Sequence, residues 1–310
     1  MARTFYPALI CVSILSLQYA FAVPIKNSKI TPVDLDYECV HKTDNRSNKA
    51  PIVLLHGLGA MKSHWDGTYE VLAFSTGRRV CRADLRNHGD SPWDGETSVA
   101  AMTEDVIHLL DTIGEETAVI IGHSLGGKIA IHTALNYPAR VDRIVAEDIS
   151  PNVDPQVVES IIMLIKTLQS VMEQVPEGSD EKQATEFIFS HFKDWMNQFN
   201  LSISDEQMEQ VEQALTCPDG KCRWKANFDA IVGTIERGLD MFWTPSSGRY
   251  EGSALFIYGM ESEFKVNEEE ENIRKLFPKA KLVGVEGAGH AIHGLFPKFD
   301  VEVLKFLDEN

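Results

Sequence analysis

Apolar residues along this chain fall into short unbroken runs, separated by stretches in which they recur every third or fourth position. LDYECV (35–40) reads as a strand followed by a polar turn rich in Asn, Lys and Ser. PIVLLHG (51–57) is a continuous apolar run ending in glycine, the mark of a strand buried on both faces. RRVCRADL (78–85) is a further strand. After Ser98, the residues Val99, Met102, Val106, Leu109 and Ile113 keep helical spacing until Gly114 stops the helix. AVII (118–121) predicts a strand, then a helix runs to Asn136 with Pro138 beyond it, and RIVAED (143–148) is the next strand. ALFIYG (254–259) and KLVGVEG (281–287) continue the rhythm, with a helix around Ile273–Leu276 between them. Strands alternating with helices at this spacing predict an α/β fold: a mostly parallel central sheet with helices on both faces.

Between Pro151 and about Ser247 the pattern changes to helical, acidic and rich in Gln, Met and Glu, without a buried strand. This predicts an inserted helical cap over 151–247, dividing the core into 23–150 and 248–310. Ile161, Ile162, Leu164, Ile165 and Leu168 fit helix packing against the core, with the lining of an acyl channel as the alternative. The acidic run NEEEEN (267–272) suits a solvated helix start.

The first 22 residues stand apart from the fold. Arg3, the apolar stretch ALICVSILSL and then Ala20-Phe21-Ala22 follow the order of a secretory signal peptide cleaved after Ala22. The stretch is too short, and too interrupted by Ser and Gln, for a spanning helix, so no transmembrane anchor is expected after its removal. Of five cysteines, Cys11 leaves with that segment, and Cys39, Cys81, Cys217 and Cys222 remain. Cys217-Pro-Asp-Gly-Lys-Cys222 brackets a turn-prone sequence, which favours a small disulfide loop over zinc. Asn45-Arg46-Ser47 and Asn200-Leu201-Ser202 are glycosylation sequons, usable only in the secretory pathway. A net charge of −17 argues against nucleic acid or anionic membrane as an electrostatically held partner.

Candidate chemistry collects at the strand ends. Gly122-His123-Ser124-Leu125-Gly126 fits the nucleophile elbow, a tight strand-to-helix turn that lifts a serine hydroxyl out of the backbone. His56-Gly57-Leu58-Gly59 follows the first buried strand, so the N–H of Leu58 could join that of Leu125 as an oxyanion donor. His290, in Gly287-Ala288-Gly289-His290 after the last strand, is the general base, ranked above His293, which is assigned to the following helix start. His123 is assigned a structural part. The order Ser…acid…His is that of the α/β hydrolases. The mechanism expected is two-step acyl transfer through Ser124, with no metal or cofactor.

The segments DLRNHGDSP (84–92), HGLGAMKSHW, GHSLGGK, EDISP and GAGHAIH resemble the alpha/beta-hydrolase domain-containing protein 11 group and its bacterial YbfF-type esterases. The resemblance spans nearly the whole mature chain and is weakest through the cap. It implies a carboxylic ester hydrolase acting on a small-molecule ester or acyl lipid, with acylglycerols or thioesters as possible substrates. A hydrolase-fold binding protein with little turnover is the competing expectation. Animal members are typically mitochondrial, whereas the signal peptide and cysteines point here to the secretory pathway. Many relatives carry the acid after the strand ALFIYG, where this chain has Gly259-Met260-Glu261-Ser262-Glu263 and no aspartate. The bacterial esterases have an aspartate matching Asp148, and Asp229 matches another family position. Asp148 is preferred because a strand end is stiffer than a cap segment, with Glu261 and Glu263 third. The fold places the strand at Cys39 beside that at Cys81, so the pairs Cys39–Cys81 and Cys217–Cys222 are expected.

Overall fold

A computed structural model describes residues 30–40, 49–198, 205–236 and 247–309. The N-terminal segment 1–22 and the sequons at Asn45 and Asn200 lie outside the described residues. Seven strands form one sheet: β1 (Tyr37–Val40), β2 (Ile52–Leu55), β3 (Val80–Ala83), β4 (Ala118–His123), β5 (Val141–Glu147), β6 (Ser253–Gly259) and β7 (Ala280–Val285). Their spatial order is β1-β3-β2-β4-β5-β6-β7. All neighbours are parallel except β1, which runs antiparallel to β3 with Cys39 opposite Cys81. These two cysteines are joined by a disulfide.

Successive side chains of a strand point to opposite faces, so the apolar runs feed two cores. Val53, Leu55 and Ile120 enter one, packed with Met102, Val106 and Leu109 of α2 (Val99–Thr112) and Ile129 of α3 (Leu125–Asn136). Ile52, Leu54, Val119 and Ile121 enter the other, under Leu72 of α1 (Thr68–Thr76) and Phe299 and Val303 of α9 (Lys298–Asp308). The Ser98 hydroxyl caps α2 by accepting the N–H of Ala101. Helix α8 (Glu270–Leu276) has Glu270 and Glu271 in its first turn, where acids suit the helix dipole.

The region expected to be a single cap is divided. Residues 170–223 form one compact unit, and residues 30–169 with 224–309 form the other. The smaller unit contains α5 (Glu181–Gln198) and α6 (Asp205–Gln213), and a disulfide between Cys217 and Cys222. Most of α4 (Pro155–Met172) and all of α7 (Phe228–Glu236) belong with the sheet, because Val158, Ile165, Phe228 and Ile231 are buried in its first core. Ile161 and Ile162 pack against the same core, whereas Leu164 is exposed. Among the described residues no helix is long and apolar enough to cross a membrane.

Candidate active site

Parallel strands deliver their carboxyl ends to one edge of the sheet, and the loops there carry the reactive side chains. Between β4 and α3 the backbone turns at Ser124 with φ 51° and ψ −114°, a conformation that costs of order 1–3 kcal/mol in a residue with a side chain. Two bonds hold it. The Ser124 N–H donates to the Glu147 carbonyl at 2.9 Å, and its own carbonyl accepts the Lys128 N–H at 2.9 Å. The turn is so tight that a Cβ on Gly126 would lie 2.2 Å from the Leu55 carbonyl oxygen.

Asp148 follows β5, the neighbouring strand, and is fully buried with φ 49°. Its Oδ1 accepts the Gly259 N–H at 2.9 Å, while Oδ2 accepts the Ser262 hydroxyl at 2.5 Å and His290 Nδ1–H at 2.7 Å. With Nδ1 committed to the carboxylate, Nε2 of His290 is the nitrogen left to exchange a proton. The Phe264 ring stacks on His290, with centroids 4.0 Å apart and planes 8° apart. His123 connects the two halves of the site. It adjoins Ser124 in sequence, its ring lies 4.7 Å from that of His290, and its Nε2–H donates to the His290 carbonyl at 3.0 Å. Burial holds His123 at about 3, so it is neutral. Among the described residues no hydrogen bond joins the Ser124 hydroxyl to His290.

The HG-x-G turn is held by its own histidine. Nε2 of His56 accepts the Leu85 N–H at 2.9 Å, which leaves the proton on Nδ1 to donate to the Gly57 carbonyl at 2.7 Å. Burial first, then the neighbouring His88, push His56 well below its ordinary range. The N–H groups of Leu58 and Leu125 donate to no other group among the described residues. That of Leu125 also lies at the positive end of α3.

The remaining expectations sort cleanly. Asp229 is exposed on α7 and accepts a hydrogen bond from Gln169 Nε2 at 2.7 Å. Glu261 and Glu263 are exposed as well, and the intervening Ser262 reaches Asp148 instead. His293 is not in a helix start: it lies in a turn before α9 and pairs through Nδ1 with Glu147 Oε2 at 2.6 Å. The R-N-H-G-D-S-P string folds its own loop. Arg86 is buried against Asp105 through bonds of 2.5 and 2.6 Å, and the Asn87 side chain bonds Asp94, Thr97 and Asn227. Asp36, Asp84 and Asp90 converge on Lys62 Nζ at 2.6, 2.9 and 3.3 Å, so an ammonium group supplies the positive charge there. Sequence reasoning passed over Glu147, Ser262 and Phe264. A second ionisable residue, just before Asp148 at the end of the apolar strand RIVAED, was a visible signal for Glu147. Nothing local marked the other two, since the loop after β6 was searched for a carboxylate.

A strained serine at a strand-to-helix turn and a buried acid–histidine pair, all beyond the carboxyl ends of parallel strands, define a hydrolase-type site on an α/β sheet. The alpha/beta hydrolase fold profile matches residues 50–208. The chain belongs to the alpha/beta hydrolase family, in the branch of the alpha/beta-hydrolase domain-containing protein 11 group and its bacterial esterase relatives. It is 33% identical over 288 residues to the mouse (Mus musculus) sn-1-specific diacylglycerol lipase ABHD11, covering 91% of this chain and 88% of that one. Esterase YbfF of Escherichia coli is 28% identical over 266 residues, covering 82% and 91% of the two chains. The solved structure of a marine microorganism esterase superposes with a TM-score of 0.71 at 27% identity, over 88% of this chain and 99% of that one. Similarity to a lipase and to esterases supports a hydrolase function of the esterase–lipase type.

Proposed function

We propose that the protein hydrolyses carboxylic esters in two acyl-transfer steps, with Ser124 as nucleophile, His290 as general base and Asp148 as the acid behind it. The observation that carries this reading is the 2.7 Å bond from His290 Nδ1 to the buried Asp148 carboxylate, beside a serine held in an elbow. Ser124 Oγ attacks the ester carbonyl as His290 Nε2 takes its proton, and the imidazolium then protonates the departing alcohol. Water next attacks the acyl-enzyme, giving its proton to His290, and Ser124 leaves with the proton returned. The N–H groups of Leu58 and Leu125 hold the oxyanion in both steps. The Ser124–His290 contact tightens when substrate enters, as is common for catalytic hydrogen bonds. An acylglycerol is the proposed substrate class, following the diacylglycerol lipase among the relatives. A thioester would follow the same path.

The test is covalent. A fluorophosphonate probe should label the wild type and fail on Ser124→Ala, with turnover of p-nitrophenyl esters and of a diacylglycerol lost in parallel. Labelling that survives the substitution removes Ser124 as nucleophile, and labelling without turnover on any ester or thioester favours a binding protein. We further propose a secretory-pathway location, with cleavage after Ala22 and glycans on Asn45 and Asn200. Two disulfides in one chain support an oxidising compartment. Expression with the native N-terminus should deliver protein starting at Val23, shifted in mass by deglycosylation. Retention of Met1 in cell-associated protein would overturn this.

A further inference from the structure

The proposed mechanism leaves unused the buried carboxylate next to Asp148. Glu147 ends β5 one residue before Asp148 and has no exposed surface. Its Oε1 accepts the backbone N–H groups of Ile292 at 2.8 Å and His293 at 2.9 Å, and its Oε2 accepts His293 Nδ1–H at 2.6 Å. Burial by itself would raise this carboxyl, but the neighbouring His293 and His123 and the bonds from His293 outweigh it and hold it at about 2. A charge is costly to bury unless its oxygens are paired, and an apolar side chain could fill the same space. What an apolar side chain could not do is grip two amides of the loop that carries His290.

The partner is as firmly set. His293 stacks on buried Trp65, with centroids 4.1 Å apart, and lies edge-on to His123 at 5.3 Å. His123 in turn donates to the His290 carbonyl. The chain is therefore tied at the carbonyl of residue 290 and at the amides of 292 and 293. Consecutive residues at one strand end grip this loop at two points, Asp148 by the His290 ring and Glu147 by the backbone just beyond.

We infer that Glu147 and His293 are positioning residues, which fix the backbone beneath His290 so that its ring stands in register with Asp148 and Ser124. This rests on the acyl-transfer reading. Neither residue touches the reacting atoms; their effect is on the geometry of proton transfer, where a misplacement of about 1 Å can cost on the order of 100-fold in rate.

The experiment measures kcat and KM on p-nitrophenyl butyrate for the full chain, with circular dichroism to establish folding. Glu147→Leu should lose about 30- to 100-fold in kcat while KM moves less than about threefold. Glu147→Gln keeps an oxygen for the two amides and should recover to within about tenfold of wild type. In a His290→Ala background, Glu147→Leu should change the residual rate by less than about twofold, because the group it positions is gone. An unchanged kcat, a loss confined to KM, or an equal loss in both backgrounds overturns the inference. Should Glu147→Leu fail to fold, His293→Phe decides the question, since it keeps a ring against Trp65 and removes the side-chain bond to Glu147. A kcat lowered about fivefold or more supports positioning, and a wild-type kcat refutes it. If Ser124→Ala retains turnover, the acyl-transfer reading fails and takes this one with it. If Ser124→Ala and His290→Ala are inactive while Glu147→Leu is not impaired, only the positioning inference fails.

Discussion

At the scale of single residues, the Asp148 carboxylate makes the contact with His290 that the proposed acid needs and Asp229 makes a different one. Asp148 is sealed from water and receives His290 Nδ1–H, whereas Asp229 is exposed and engaged with Gln169. An asparagine at the true acid keeps the shape but misplaces the proton, which in serine proteases costs about 10⁴ in kcat. Asp148→Asn should therefore lose on the order of 10³ or more in kcat, with Asp229→Asn losing less than about tenfold, both folding normally. Steady-state rates on one short-chain ester check both, and a crippled Asp229→Asn would move the acid onto α7. The elbow at Ser124 and the loop at His290 were legible in sequence because their signals are local. A serine between glycines after a strand announces its backbone geometry, and a Gly-His pair after the last strand announces a loop. The choice among Asp148, Asp229, Glu261 and Glu263 was open because a carboxylate looks the same wherever it points.

At the scale of elements, the junction of β4, the elbow and α3 concentrates the steric demands. A side chain on Gly126 meets the backbone of β2, which cannot move without disturbing a strand buried on both faces. Gly126→Ala should destabilise the protein by at least about 2 kcal/mol, seen as a lower urea midpoint at unchanged slope. A midpoint equal to wild type would show that the turn relaxes. The same logic explains what the sequence pattern missed. Helices α1 and α9 each show the core only a few residues, Tyr69, Leu72 and Ala73 on one and Phe299, Val303, Phe306 and Leu307 on the other. The pattern does not mark α1, and it begins the helix after the last strand at His293, where α9 begins at Lys298. The expected cap over 151–247 and the compact 170–223 unit differ in bounds for a related reason: amphipathic helices look alike whether they pack on the sheet, as α7 does, or within that unit.

For the whole molecule, pH and redox state should act on stability. Burial lowers four histidines, with His64 and His88 at about 4, His123 at about 3 and His56 well below its ordinary value of 6.5. The unfolded chain takes up these protons near 6.5 and the folded chain does not, so stability is full above that pH and falls toward pH 4. Glu147, at about 2 in the fold against 4.5 ordinarily, continues the loss below 4.5. Asp105 and Asp300, raised by burial, work in the opposite sense within the carboxylate range. The urea midpoint should hold level from pH 8 to 7 and decline from about pH 6.5 downward. A level midpoint down to pH 5 would contradict the neutral histidines. The two disulfides differ in the chain they close, 42 residues for Cys39–Cys81 and 5 for Cys217–Cys222. Chain entropy then assigns about 4 kcal/mol to the first and about 2 to the second. Urea unfolding of the paired Cys→Ser variants should rank them in that order, and the reverse ranking would defeat the loop-length account.

What the sequence determined by itself is what depends on neighbours along the chain. Apolar runs and helical spacing fix which segments are strands and helices, glycines permit the elbow and the HG-x-G turn, and motif order names the serine and histidine. Tertiary structure decided which carboxylate bonds His290, because Asp148, Ser262 and His290 meet across separations of 114 and 142 residues from Asp148. It also decided that Glu147, marked in sequence only as an ionisable residue near the end of a strand, bonds the amides of the loop of His290. Local periodicity says which face a residue occupies, but hydrogen-bond partners that distant are chosen only when the sheet has set its strands side by side.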